Sequence, residues 1–128
     1  MKLKTIGCFK EMPYGYNNGK SIKDYISDNE ASNKKEIINY LNQGICIAAC
    51  CGVSEDVINP NNGIIGVPDV LVDGKYQWYR DIIYYIEKYN LKLPKEFIEY
   101  AKINKWHINI TEKDIDEDDI SIIENLYN

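Results

Sequence analysis

Apolar residues recur along the second half of the chain with the period of an α-helix. Residues 80–89 carry an apolar stripe at i, i+3, i+4 and i+7, formed by Ile82, Tyr85, Ile86 and Tyr89. This spacing predicts an amphipathic helix that Asn90 can close. Pro94 predicts the start of another helix, since proline is accepted in the first helical turn. We therefore expect two consecutive helices here.

A further helix is predicted between Asn33 and Gly44. Asn33 is a favourable N-cap residue, Glu36 follows it at the capping-box distance, and Gly44 is a stop signal. The remaining helical predictions are short or terminal segments: 21–26, 54–58 and 116–126.

Strand patterns lie between these helices, and the clearest of them is a hairpin. Asp73 and Gly74 interrupt the β-rich segment 70–79 and predict a type I′ turn, because this pair tolerates positive φ angles. The apolar run 45–51 lacks polar alternation, so we expect a fully buried strand at the centre of the sheet. Shorter strands are predicted over 4–9, 63–66 and 107–111. The expected fold class is α+β: a single domain over 1–128, with helices on one face of a small, mainly antiparallel sheet.

Charge is distributed unevenly over this domain. The net charge is −5, and the segment 111–128 alone carries seven acids and one lysine, a net −6, which leaves +1 for the rest. An acidic chain without a basic stripe is unsuited to nucleic-acid phosphates, whose binding depends on lysine and arginine. We therefore expect no nucleic-acid partner and favour a basic protein partner.

The chain shows no signal for export or membrane insertion. Its first residues lack the apolar run of a signal peptide, and the run 45–51 is far shorter than the roughly 20 residues that span a bilayer. We expect a cytoplasmic protein with no membrane contact. In that compartment the four cysteines are expected to be reduced, buried thiols: Cys8, Cys46, Cys50 and Cys51.

The sequence contains no recognisable catalytic, metal-binding or cofactor-binding motif. His107 is its one histidine and is interpreted as structural, and the cysteine spacing is not that of a zinc site. The acidic run 114–119 lacks the central glycine of a calcium loop, so we interpret it as a solvated helix start. We expect no catalytic residue, metal or cofactor. One alternative stays open, a nucleophile or ligand site formed by Cys51 and the Gly63 loop.

Tyrosine is more abundant than one small core requires. The chain has eleven tyrosines and two tryptophans, and protein interfaces favour tyrosine because its ring is apolar while its hydroxyl still forms hydrogen bonds. Strand alternation places Tyr76 and Trp78 on one face of the hairpin, where they can pack under the following helices. The candidate partner-binding residues are tyrosines expected at the surface and the C-terminal acids: Tyr14, Tyr16, Tyr79, Tyr84, Asp114, Asp116, Glu117, Asp118 and Asp119.

Several short motifs resemble those of a group of small bacterial proteins without an assigned activity. They are Asp73-Gly74 with Trp78, the pair Tyr84-Tyr85 in a helix, Leu93-Pro94 with Glu96-Phe97, Glu11 to Gly15, and Asn104 to Trp106. The resemblance covers most of residues 5–106. One departure is Tyr79, which stands where the group has a proline. The size and variability of this group are similar to those of immunity proteins in bacterial toxin systems.

These observations lead to one main hypothesis about function. We expect a non-catalytic protein-binding protein, specifically an immunity protein that occludes the active surface of a basic toxin domain. The alternatives are a small enzyme or ligand-binding protein that uses the Cys51 and Gly63 region, and an oligomeric accessory protein. The oligomeric state itself is not predicted by any pattern in the chain.

Overall fold

The structure, a computed structural model, describes residues 3–13, 19–49 and 52–115. Over these residues the chain forms an α+β domain, as predicted. The strands are β1 (Lys4–Thr5), β2 (Ile45–Ala48), β3 (Ser54–Glu55), β4 (Ile64–Gly66), β5 (Val70–Val72) and β6 (Tyr76–Tyr79). The α-helices are α1 (Lys34–Asn42), α2 (Ile82–Tyr89) and α3 (Lys95–Ile103). Short 3₁₀ turns cover Ile22–Asp24, Pro60–Asn62 and Glu112–Asp114.

Two sheets are formed in the described part of the chain. The larger has the strand order β1-β6-β5-β2, in which β1 runs parallel to β6 and the other neighbours are antiparallel. The smaller consists of β3 and β4, which pair in antiparallel fashion. The hairpin of β5 and β6 therefore occupies the centre of the larger sheet.

The turn of this hairpin is fixed by the Asp73 side chain. Its Oδ1 accepts hydrogen bonds from the backbone N–H groups of Lys75 (2.9 Å) and Tyr76 (2.7 Å), while its Oδ2 accepts one from the Tyr40 hydroxyl of α1 (2.6 Å). The predicted hairpin is confirmed. The predicted type I′ turn is wrong, because Gly74 has a positive φ of 104° and Asp73 does not.

Both faces of the central hairpin are buried. On the face toward the helices, Tyr76 and Trp78 contact Phe97 of α3 edge-on, with ring centroids 5.2 and 5.7 Å apart. On the opposite face, Tyr79 packs with Val70 and is only 3% exposed. The expectation that Tyr79 lies at the surface is therefore wrong, because sequence alternation reveals which face a residue occupies but not that both faces are covered.

The predicted position of the strand in 45–51 is also wrong. β2 covers only Ile45–Ala48 and lies at an edge of the larger sheet, since β5 and β6 fill its centre. Cys46 is exposed there and Cys8 is partly buried, so neither of these two described cysteines is the fully buried thiol that was expected. Cys50 and Cys51 lie outside the described residues.

The helix predictions are largely confirmed. α2 ends at Asn90, which adopts a left-handed conformation with φ 55°, and α3 follows Pro94. α1 starts after Asn33, although the Asn33 side chain caps no N–H group among the described residues. None of the described helices has the length and apolarity needed to cross a bilayer.

The weaker segment predictions have mixed outcomes. The strand in 63–66 is confirmed as β4, the one in 4–9 is reduced to β1, and the helical turn in 21–26 is a 3₁₀ turn. The helical turn predicted over 54–58 is wrong, because this stretch begins with β3. The described residues 107–111 form no strand, and 116–126 lies outside the described part of the chain.

Gly44, which follows α1 and its C-cap residue Gln43, is required for a steric reason. Its φ lies outside the left-handed region, so it is not needed as a positive-φ stop residue. A Cβ atom at this position would lie 2.7 Å from both Leu71 Cβ and Trp78 Cζ2. The chain thus passes so close to the central hairpin that no side chain fits between them.

We predict that Gly44→Ala lowers the free energy of unfolding by about 1–3 kcal/mol, the typical penalty for overpacking a core. Denaturant titration followed by tryptophan fluorescence measures the change. Asn42→Ala is the control, because Asn42 is the exposed last residue of α1, two positions before Gly44, and its truncation should change stability by less than about 0.5 kcal/mol. Equal stability of the two variants would contradict the close approach.

Candidate functional site

The small sheet of β3 and β4 is fastened to α2 by one buried carboxylate. Asp56 directly follows β3 and is 1% exposed. Its Oδ1 accepts the backbone N–H groups of Ile58 (2.8 Å) and Asn59 (2.9 Å), which closes a tight turn after the strand. A short polar side chain that accepts from the backbone two or three residues further on is typical of such turns.

Three side-chain donors form hydrogen bonds to the other oxygen of this carboxylate. Asp56 Oδ2 accepts hydrogen bonds from Asn62 Nδ2 (2.9 Å), the Tyr84 hydroxyl (2.8 Å) and the Tyr89 hydroxyl (2.6 Å). The neighbouring Tyr85 hydroxyl donates to the carbonyl oxygen of Glu55 (3.1 Å). We name this group the Asp56 clamp, composed of Asp56, Asn62, Tyr84, Tyr85 and Tyr89.

Hydrogen bonding decides the ionisation of the clamp. Burial alone would raise the pKa of Asp56, but the hydrogen bonds from Tyr89, from the Asn59 N–H and from Asn62 and Tyr84 outweigh it and hold that pKa well below its usual range. Burial raises the pKa of Tyr85 to about 12, with the charges of Asp81 and Asp56 adding to the rise. The clamp therefore consists of an ionised carboxylate and neutral tyrosines near neutral pH.

A second buried contact supports the same attachment. The Ser54 hydroxyl of β3 donates to Asp81 Oδ2 (3.0 Å) immediately before α2, and the two residues are 4% and 5% exposed. The small sheet is thus held to α2 at both ends of β3. This anchoring makes its outward side a preformed surface.

Three apolar side chains are exposed on or directly beside the small sheet, where the exposed Glu55 also pairs with one of them, Ile64. Val53, Ile64 and Val67 are 54%, 66% and 41% exposed. They lie on or beside the antiparallel pair β3-β4, which is distinct from the central hairpin of β5 and β6, and we call these three residues the hairpin surface. Ser54 pairs with Gly66 across the sheet, so Val53 and Val67, which flank this pair, follow each other across the two antiparallel segments. A shallow cleft of about 220 Å³ adjoins Val67. Contiguous exposed apolar side chains are a mark of interaction sites.

The structure gives a mixed account of the residues predicted to bind a partner. Tyr84 is half-buried and its hydroxyl is committed to Asp56, so it is less available than expected. Asp114 is exposed, as its place in a solvated segment suggests, and accepts the Thr111 backbone N–H (2.9 Å). Tyr79 is buried in the sheet. The remaining candidates lie outside the described residues: Tyr14, Tyr16, Asp116, Glu117, Asp118 and Asp119.

Two observations on the described residues concern metal ligands and the histidine. No three histidine, cysteine, aspartate or glutamate side chains converge in that part of the chain to hold a metal ion. His107 is exposed. Cys51 is not described, so a nucleophile or ligand site with the Gly63 loop stays a prediction.

Sequence reasoning missed the hairpin surface and the clamp. Valine and isoleucine signal burial wherever they occur, so nothing in the sequence marks Val53, Ile64 and Val67 as exposed. Asp56 stands in a mixed polar stretch, and its five donors come from segments up to 33 residues away. The excess of tyrosine was the one sequence feature that could have indicated the clamp, but it was interpreted as a sign of an interface and not of buried hydroxyl donors.

Comparison of the chain with protein-family models, with curated proteins and with solved structures finds no match. The resemblance to the group of small bacterial proteins therefore stays a prediction. The structure does give its motifs physical roles, since Asp73 and Gly74 form the hairpin turn, Tyr84 and Tyr85 belong to the clamp, and Phe97 packs in the core.

We predict that Asp56→Asn lowers the free energy of unfolding by about 2–4 kcal/mol at pH 7, because charge-assisted hydrogen bonds to the carboxylate are lost. The lowered folded-state pKa of Asp56 stabilises the fold above the ordinary carboxyl pKa of about 4, and this contribution is lost progressively as the pH falls from there through the folded-state pKa. The gap between wild type and variant should therefore shrink on acidification. Denaturant titrations at several pH values measure it.

Asp28→Asn is the matched control for this experiment, because Asp28 is exposed and lies outside the clamp. Its stability should follow that of the wild type at every pH. A gap between Asp56→Asn and the wild type that stays constant from neutral to strongly acidic pH would contradict the assignment of an ionised carboxylate.

Proposed function

We propose that this chain is a non-catalytic protein-binding protein whose partner is a bacterial toxin domain with a basic surface. It acts as an immunity protein and covers the active surface of that domain. The hairpin surface is the observation that carries the proposal, because three branched aliphatic side chains are presented to solvent on an anchored two-stranded sheet.

Anchoring matters for affinity as well as for shape. Ordering a loop on binding opposes association, whereas a surface that is already fixed avoids that loss. The Asp56 clamp and the contact between Ser54 and Asp81 fix the small sheet before any partner arrives. The hairpin surface is therefore suited to be the apolar centre of an interface, which polar residues can surround.

Charge supports the choice of a basic partner. The segment 111–128 carries a net −6, while the rest of the chain is close to neutral. Complementary charge accelerates association and suppresses wrong partners more than it adds affinity. In this proposal the C-terminal acids guide a basic domain toward the chain, and apolar contacts then hold the complex together.

We predict that a triple variant, Val53→Thr, Ile64→Thr and Val67→Thr, binds the proposed partner toxin domain, to be sought among the products of adjacent genes, roughly tenfold more weakly or worse. Threonine retains the branched shape closely while removing apolar surface. The measurement is surface plasmon resonance, combined with rescue of cells that express the domain. Ile103→Thr, at an isoleucine 80% exposed on α3, is the control and should bind like the wild type. Undiminished binding by the triple variant would exclude the hairpin surface as the interface.

We also predict that neutralising Asp116, Glu117, Asp118 and Asp119 together slows association with that domain about tenfold at low salt, while dissociation changes little. The difference should vanish at high salt, because screening removes long-range attraction. Stopped-flow association rates across a salt series provide the measurement. Association that is equally fast at low salt would remove the basic partner from the proposal.

A further inference from the structure

A cleft of about 400 Å³ lies between the loop 27–33 and the three helices, and it shares no lining residue with the hairpin surface. This volume falls in the range of small-molecule pockets, roughly 300–1,000 Å³. Its apolar lining is contributed by every helix and by the connection between α2 and α3: Ile37, Ile86, Leu91, Leu93 and Ile98. The cleft can therefore hold an apolar group.

The rim of the cleft is basic, in a chain that is acidic overall. Its described lining residues include three lysines, Lys34, Lys92 and Lys102, and a single acid, Glu30. Lys92 and Lys102 are exposed and face solvent at the rim. The local charge is thus complementary to an anion, although the whole chain carries −5.

The wall of the cleft is tied down by backbone and amide contacts. Ser27 N–H donates to the Tyr89 carbonyl oxygen (3.1 Å), and Asn90 Nδ2 donates to the Ser27 carbonyl oxygen (3.1 Å). Lys92 N–H donates to the Tyr25 carbonyl oxygen (2.8 Å). The loop is therefore joined to the end of α2, and these contacts make the cleft a fixed feature of the fold, as ligand pockets generally are.

Lys34 shows where a carboxylate fits in this cleft. Its Nζ donates to the Glu87 carbonyl oxygen and to Asn90 Oδ1, both at 2.9 Å, and these two contacts fix the ammonium group. Its remaining contact is to Glu30 Oε1 at the longer distance of 3.4 Å, and the Glu30 side chain is 71% exposed. The third N–H donor of the Lys34 ammonium group thus already faces a carboxylate, that of Glu30, which is held only loosely.

We propose that this cleft binds a small-molecule carboxylate with an aliphatic body. The aliphatic part lies on the isoleucine and leucine floor, and the carboxylate replaces Glu30 beside Lys34. Lys92 and Lys102 add attraction at the rim. The proposal rests on the cleft alone and is independent of the function proposed for the hairpin surface.

The test is a titration of the ¹⁵N-labelled full chain with hexanoate, octanoate and decanoate, followed by amide chemical shifts. We expect saturable changes at Ala31, Leu93 and Ile98. Affinity should rise about two- to fourfold per added methylene until the floor is covered, because each methylene is removed from water. Octylammonium has the same chain with the opposite charge and should bind more weakly than octanoate.

Three variants test the charges of the cleft. The double variant Lys92→Gln and Lys102→Gln should weaken octanoate binding about three- to tenfold, and Glu30→Gln should strengthen it about two- to fivefold by removing the competing carboxylate. Lys95→Gln is the control, since Lys95 is a 91% exposed lysine of the same helix as Lys102 and does not line the cleft. Unperturbed spectra away from the cleft establish that each variant is folded.

Several results would overturn the proposal. One is the lack of saturable shifts with decanoate at about 1 mM, the range of weak specific binding. Others are equal affinity for octylammonium, or shifts centred on Val53 and Ile64. Binding of a synthetic peptide of residues 112–128 in the cleft, without binding of decanoate, would assign the cleft to an acidic peptide instead.

Discussion

Burial of the central hairpin on both faces is the constraint on which the rest of the fold depends. β5 and β6 contribute side chains to the helix-facing core and to the opposite face, and Leu71, Trp78 and Val72 are fully buried. Because the hairpin fills the centre of the sheet, the short strands β1 and β2 can only be edges. Gly44, just after α1, lies against the same hairpin, and the hydrogen bond from Tyr40 of α1 to Asp73 joins the helix to the hairpin as well.

Tyrosine supplies the polar side of this packing. Tyr40 donates to Asp73 at the hairpin turn, and Tyr84 and Tyr89 donate to Asp56 beside the small sheet. A buried carboxylate destabilises a fold unless donors surround it, and a tyrosine brings a donor together with an apolar ring. Much of the tyrosine excess is therefore explained inside the domain, which leaves the aliphatic hairpin surface as the better candidate for an interface.

The hairpin surface and the cleft between the helices differ in chemistry and in origin. The hairpin surface is an exposed aliphatic patch on an anchored sheet, whereas the cleft combines an apolar floor with a basic rim. A binding protein can contain both, because they share no residue and neither depends on the other. The Asp56 clamp and the contacts of Ser27 fix each of them before binding, so both are features of the folded chain itself.

The amino-acid sequence is sufficient to predict the α+β class, the hairpin at Asp73-Gly74 and the helices α2 and α3, because these depend on periodicity and turn chemistry within short stretches. It also located the negative charge in the C-terminal segment. The folded structure is needed to show that Tyr79 is buried, that β2 is an edge strand, and that Val53, Ile64 and Val67 are exposed. Exposure and strand order depend on contacts between segments that are distant in the sequence, such as the hydrogen bond between Tyr89 and Asp56. Local sequence patterns do not reveal which distant segments form such contacts.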